Sequence, residues 1–208
     1  MSNGSWTLLR EARDDTWPAA DAYFRVHVVF NAKTSLYVLW VNTLNGPANY
    51  AVGTSPNPEG PFTFVQAVDL GREGHDFDIF VDEDLTAYAI YTGNHSMSIE
   101  MLADDYLSSL ASTAPWPNKF STGIFGLYFV EAPAMFKRNG LYYALFGNCC
   151  CFCSRGSGIG VYTAHTPLGP WTYHDNVGCQ ANTSLTPGCG CGKSIRNTTY
   201  LLCRSLCN

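Results

Sequence analysis

Acidic side chains beside apolar strands are the residues of this sequence best suited to chemistry. Glu131 is the only charged residue of the segment 130–136, and Pro133 stiffens the backbone next to it. A carboxyl among apolar neighbours keeps its proton more readily than one in water, as a general acid must. The same segment also fits an ordinary surface glutamate before a strand, so the local pattern alone leaves both interpretations open.

A second acidic segment begins with His75, Asp76 and Asp78 and continues into an apolar strand. We expect at most one of Asp76 and Asp78 to face a pocket. His75 fits either a pocket wall or a solvent-exposed position. The aromatic side chains, Trp40 among them, fit either sugar stacking or the packed core.

Two further clusters invite a metal-binding interpretation. The segment 82–84, Asp-Glu-Asp, lacks the glycine and the later glutamate of a calcium loop, so a hairpin turn is preferred. The cysteines within 149–153, with Cys189 and Cys191, lack the regular gaps of zinc ligands. We expect disulfides of undetermined pairing and no bound metal, and a zinc-binding or interaction module is the rival interpretation.

The composition excludes several classes of protein. Only 14% of the 208 residues are charged and the net charge is −5, so no basic surface for nucleic acid is expected. No apolar run approaches the roughly 18 residues of a membrane span. The sequence thus predicts neither a nucleic-acid nor a membrane partner, and we expect a monomer.

Nine cysteines and four glycosylation sequons, at Asn3, Asn94, Asn182 and Asn197, indicate an extracellular protein. The first residues do not form a signal-peptide pattern. The odd number of cysteines leaves one without a partner. We therefore expect a secreted protein of which this is a partial chain.

A repeat of about 50 residues organises the sequence. A phenylalanine ends the first strand of each copy and a tyrosine lies in the second: Phe30 with Tyr37, Phe80 with Tyr88, and Phe136 with Tyr143. Asn139 and Gly140 form the residue pair typical of a two-residue hairpin turn. A closing turn recurs, as Gly-Pro-Phe-Thr over 60–63 and Gly-Pro-Trp-Thr over 169–172.

Tandem units of this length, each with four short strands, are typical of β-propeller blades. We predict an all-β fold with three recognisable blades. The expected boundaries are an irregular lead-in at 1–22, blades at 23–70, 71–125 and 126–175, and a cysteine-rich tail or truncated further blade at 176–208.

Several of these motifs together resemble a known family. They are Asp82-x-Asp84 before Ala87-Tyr88, the segment Val130 to Lys137, Leu141-Tyr142-Tyr143, and the turn over 169–172. In this order they are similar to glycoside hydrolase family 43, and most similar to its exo-β-1,3-galactanase-like branch. The resemblance covers about residues 24–175.

The resemblance implies a five-bladed propeller with an axial pocket, and an inverting hydrolysis of β-linked galactan-type or related polysaccharides. Glu131 matches the general acid, and Asp76 matches the aspartate that tunes the acid and orients the sugar. Arg25, His75 and Trp40 are the expected substrate contacts. No cofactor is implied.

The chain departs from the branch at one informative position. Relatives of this branch often carry Glu-Arg-Pro where this sequence has Phe24-Arg25-Val26, so Arg25 is retained and the carboxylate is not. The segment expected to supply the catalytic base is not recognisable. A non-catalytic glycan-binding propeller is therefore the alternative function.

Overall fold

The computed structural model describes residues 11–70, 74–93, 96–110, 120–124, 131–147 and 159–177. Over these ranges all regular structure is β-strand. The same ranges hold no helix that could cross a membrane. The strands form three four-stranded sheets, which confirms the all-β prediction and the four-stranded repeat.

The chain divides into two compact units, Met1–Val68 and Asp69–Asn208. The first unit holds one antiparallel sheet whose strands follow chain order. Its strands are β1 (Ala22–Asn31), β2 (Leu36–Leu44), β3 (Tyr50–Ser55) and β4 (Thr63–Val68).

The second unit holds two such sheets. One consists of β5 (Gly74–Val81), β6 (Ala87–Gly93), β7 (Ser96–Met101) and β8 (Phe120–Ile124). The other consists of β9 (Glu131–Arg138), β10 (Leu141–Gly147), β11 (Ile159–Ala164) and β12 (Thr172–Val177). Side chains of both sheets form one buried core, which includes Ile90, Ile99, Ala144 and Phe146.

The repeated phenylalanine and tyrosine are directly opposite each other in every sheet. Aromatic pairs on facing strands stabilise a sheet because their rings contact each other across the strands. The three pairs are Phe30–Tyr37, Phe80–Tyr88 and Phe136–Tyr143, with ring centroids 4.9, 6.4 and 4.9 Å apart. The sequence repeat is therefore a structural repeat in register.

Turn chemistry accounts for two kinds of connection. Asn139 and Gly140 have φ values of 52° and 73°, as the predicted two-residue turn between β9 and β10 requires. Gly60 and Gly169 have φ values of 79° and 89°, and each precedes a cis-proline. The two predicted closing turns thus share one backbone conformation.

The described part of the lead-in runs along the start of β4. The Phe62 N–H donates to the Ala12 carbonyl at 2.7 Å, and the Trp17 indole N–H donates to the Phe62 carbonyl at 2.7 Å. Trp17 also packs edge-on against Tyr23 and Phe64. Residues 11–21 are therefore irregular and attached to the first sheet.

Substitution of two glycines of the second unit distinguishes the destabilisation caused by a strained backbone from that caused by a steric clash. A Cβ at Gly140 would meet nothing within 4 Å, whereas one at Gly169 would lie 2.8 Å from the Trp171 ring. We expect Gly140→Ala to lower the free energy of unfolding by about 1 kcal/mol, because alanine must adopt a left-handed conformation. Gly169→Ala should lower it further, and urea unfolding of both variants checks the difference. Equal losses would show that the closing turn tolerates the added methyl group.

Candidate active site

The first strand of every sheet contains a bulge near its beginning. At each bulge two residues lie opposite one residue of the second strand, which bends the strand and re-aims its side chains. The bulged pairs are Arg25–Val26 in β1, His75–Asp76 in β5 and Ala132–Pro133 in β9. Of the predicted site residues, Arg25, His75 and Asp76 lie within bulges, and Glu131 directly precedes one.

The bulge beside Glu131 holds a strained backbone. Ala132 has a φ of 52°, a left-handed conformation that residues other than glycine seldom adopt. Such strain persists only where surrounding contacts enforce it, and it is common at functional sites. Ala132 is buried, and its N–H donates to Asp76 Oδ2 at 3.0 Å. The Asp76 carboxylate therefore binds the residue that directly follows Glu131.

Asp78 makes a second bond of the same kind, because the Met135 N–H donates to Asp78 Oδ2 at 2.8 Å. We expected at most one of the two aspartates to face a pocket, but the two carboxylates lie on one face of β5. Residues two apart on a strand lie on the same face, and both carboxylates reach β9. The spacing in the sequence was sufficient to place both side chains on one face of β5.

A third carboxylate continues the row in the turn after β5. Asp82 accepts a hydrogen bond from Lys137 Nζ at 2.8 Å and another from the Tyr142 hydroxyl at 2.5 Å. Lys137 also reaches the exposed Glu83 at 3.1 Å. Asp76, Asp78 and Asp82 together form what we call the carboxylate ladder, which connects the β5–β8 sheet to the β9–β12 sheet.

The ladder's last carboxylate is in its charged form. Burial acts to raise the pKa of Asp82, but hydrogen bonds from Lys137 and Tyr142 outweigh it, so the pKa lies below its usual 3.8. The segment 82–84 forms the predicted hairpin turn, closed by the Asp82 N–H donating to the Thr86 carbonyl at 2.9 Å. Among the described residues, no group of three or more His, Cys, Asp or Glu side chains is placed to hold a metal ion.

The two proposed catalytic carboxyls are accessible. Glu131 opens β9 opposite Gly147 and is half-buried, as is Asp76. His75 lies beside Asp76 in the same bulge and is exposed. A ligand in contact with this end of β5 and β9 could thus reach all three side chains.

The remaining predicted contacts lie in the first unit. Arg25 is half-buried and has a φ of 55°, so the β1 bulge is strained in the same way as that of β9. Trp40 has no exposed surface and packs against Tyr50, with ring centroids 6.0 Å apart. The burial of Trp40 favours the core interpretation and argues against sugar stacking. The predicted contact between Trp40 and substrate is not tested further and stays a prediction.

Several sequence-based predictions lie outside the described residues. These are all nine cysteines with their expected disulfides, the four sequons, and the tail from residue 178 onward. The blade boundaries at 71, 125 and 126 also fall there.

The model of the glycosyl hydrolases family 43 matches residues 29–191. The β-D-galactofuranosidase xynD of Aspergillus niger is 27% identical over 170 residues, which cover 74% of this chain and 45% of the relative. The chain therefore spans less than half the length of that relative.

Solved structures show the same likeness. A family 43 β-1,3-galactosidase in complex with galactodeoxynojirimycin is 25% identical with a TM-score of 0.64, and the match covers 76% of this chain and 59% of that one. An exo-β-1,3-galactanase from Phanerochaete chrysosporium, in a glutamate-to-alanine variant with β-1,3-galactotriose, is 25% identical with a TM-score of 0.65. That match covers 84% of this chain and 41% of the galactanase.

The ladder predicts a pH dependence of stability. Since the folded-state pKa of Asp82 is below its unfolded value, its contribution is present above about pH 4 and is lost as the pH falls through the folded-state pKa. We expect Asp82→Ala to lower the free energy of unfolding at pH 7 by about 2 kcal/mol. The loss should shrink at pH 3, as urea unfolding at the two pH values will show.

Asp84→Ala is the matched control, because Asp84 accepts only a local hydrogen bond from the Thr86 N–H among the contacts described. If Asp82→Ala lowered the free energy of unfolding equally at pH 7 and pH 3, that result would contradict a stabilising contact made by a charged Asp82.

Proposed function

The chain belongs to glycosyl hydrolase family 43, and we propose that it is part of an inverting glycoside hydrolase that cleaves β-linked galactan-type polysaccharide. The observation that carries the proposal is the hydrogen bond from the Ala132 N–H to Asp76, which joins the two carboxyl-bearing bulges at Glu131. Relatives named as a galactosidase, a galactanase and a galactofuranosidase support the choice of sugar.

In the proposed reaction Glu131 is the general acid. Its carboxyl group donates a proton to the glycosidic oxygen as the bond to the anomeric carbon breaks. A base on the opposite face of the sugar removes a proton from the attacking water, and the anomeric configuration inverts. We assign that base to no residue of this chain.

Asp76 is proposed to orient both partners of the proton transfer. One carboxylate oxygen is fixed by the Ala132 N–H, so the side chain is held before substrate arrives. A group positioned in advance costs less to order during the reaction. His75, exposed in the same bulge, is proposed to bind a sugar hydroxyl, and Arg25 is proposed to bind another or to pair with a carboxylate.

The three sheets are proposed to be blades of a five-bladed propeller, of which this chain holds a part. The matches cover 59% of one solved relative and 41% of another, which supports a propeller with more sheets than the three described. The cysteine content supports a secreted protein, and we propose that it acts as a monomer on oligosaccharide or polysaccharide outside the cell.

One observation favours a second function, a glycan-binding propeller without catalysis. Phe24, with 42% of its surface exposed, stands beside Arg25 where the resemblance predicts a carboxylate. An exposed ring can stack on a sugar face but cannot take part in proton transfer. Loss of that carboxylate would preserve binding and remove turnover.

Activity on β-1,3-galactan oligosaccharides separates these functions. We expect the wild type to release galactose, with the α-anomer formed first as NMR would show, and Glu131→Gln to reduce kcat by about 10²-fold or more. Glu83→Gln, at an exposed turn position, is the control and should retain activity.

Binding of the oligosaccharide by wild type without release of galactose would favour the glycan-binding function. Full activity of Glu131→Gln would instead remove Glu131 from the role of acid.

A further inference from the structure

Asp78 forms a link between two strands that share no backbone ladder. β5 and β9 are the first strands of different sheets. The contacts described between them are therefore made by side chains, and the Asp78 carboxylate accepts the Met135 N–H at 2.8 Å. A bond from a backbone N–H to a carboxylate is charge-assisted and stronger than a neutral one.

Asp76 and Asp78 bind amides that lie on either side of Pro133, the second residue of the β9 bulge. Asp76 and Asp78 are two residues apart on β5, but the amides that they bind, Ala132 and Met135, are three apart on β9. Both strands are bulged at this point, because His75–Asp76 of β5 lies opposite one residue of β6, just as Ala132–Pro133 of β9 lies opposite one residue of β10. The two bonds therefore span the Ala132–Pro133 bulge.

The backbone of the bulge has an unusual conformation. Pro133 has no N–H to donate, and Ala132 holds a left-handed φ of 52°. Asp76 binds the first residue of the bulge, and Asp78 binds Met135, two residues beyond its end. Glu131 directly precedes the bulge, so the position of its carboxyl depends on how firmly both ends are held.

We propose that Asp78 is a positioning residue, which locks the β9 bulge and thereby places the Glu131 carboxyl for proton donation. This inference rests on the proposed function and deepens it. Asp78 itself need not touch the substrate. A displacement of about 1 Å at a reacting group can cost about 10²-fold in rate, so a loosened bulge would slow the acid step selectively.

The leaving group separates positioning of the acid from a general loss of structure. Cleavage of β-1,3-galactobiose requires protonation of a sugar oxygen, whereas 2,4-dinitrophenyl β-galactoside releases a phenolate that needs no proton. We expect Asp78→Ala to lower kcat on the disaccharide by about 10- to 100-fold while kcat on the dinitrophenyl substrate changes by less than about 3-fold.

Two variants sharpen the comparison. Asp78→Asn keeps an oxygen that can accept the Met135 N–H, so it should recover most of the activity on the disaccharide. Asp84→Ala removes a carboxylate of the same hairpin that has no described contact with β9, and it should match wild type on both substrates. Equal losses of Asp78→Ala on the two substrates, or none, would overturn the inference.

Amide hydrogen exchange tests the anchor without relying on turnover. We expect the Met135 amide to exchange at least about 10-fold faster in Asp78→Ala than in wild type, because its acceptor is gone. An unchanged exchange rate would overturn the inference even if activity falls. A wild type inactive on both substrates would instead overturn the proposed function, and exchange alone would then decide whether Asp78 holds β9.

Discussion

The structure of the second unit depends on holding two strands of different sheets together without backbone pairing between them. Side chains at β5 and its turn solve this problem, since Asp76 and Asp78 bind backbone amides of β9 and Asp82 binds Lys137. Apolar packing between the sheets supplies most of the stabilisation but is not directional. The hydrogen bonds to carboxylates are directional, and the bond to Asp76 lies next to Glu131, the one carboxylic residue of β9.

The bulges of the three sheets carry different side chains. All three first strands carry the same two-for-one insertion, yet the inserted residues differ: Arg25–Val26, His75–Asp76 and Ala132–Pro133. Each bulge lies at an equivalent position of its sheet, and the residues at that position differ in their chemistry. Strain at Arg25 and Ala132 indicates that these positions are maintained against their backbone preference.

Local rules predicted the repeating framework from the sequence. The Phe–Tyr pairs, the Asn139–Gly140 turn and the Gly-Pro closing turns each depend on neighbours within one sheet. The ladder depends on two sheets, so its partners, Met135 among them, carry no local signal. The face of β5 on which Asp78 lies could be predicted from strand alternation. The left-handed conformation of Ala132 could not be predicted, because alanine shows no sequence preference for that conformation. The role of Trp40 could not be predicted either, since the presence of an aromatic residue does not distinguish a core ring from a sugar-binding ring.

The central claim is that a sugar binds where the Asp76–Ala132 contact brings the two bulges together at Glu131. A crystal structure of the chain soaked with galactodeoxynojirimycin, the compound bound in a solved relative, tests it most directly. The account predicts the sugar within hydrogen-bond distance of Glu131 and Asp76, with the Ala132 N–H still bound to Asp76. A sugar bound elsewhere, with Glu131 and Asp76 directed away from it, would contradict the account.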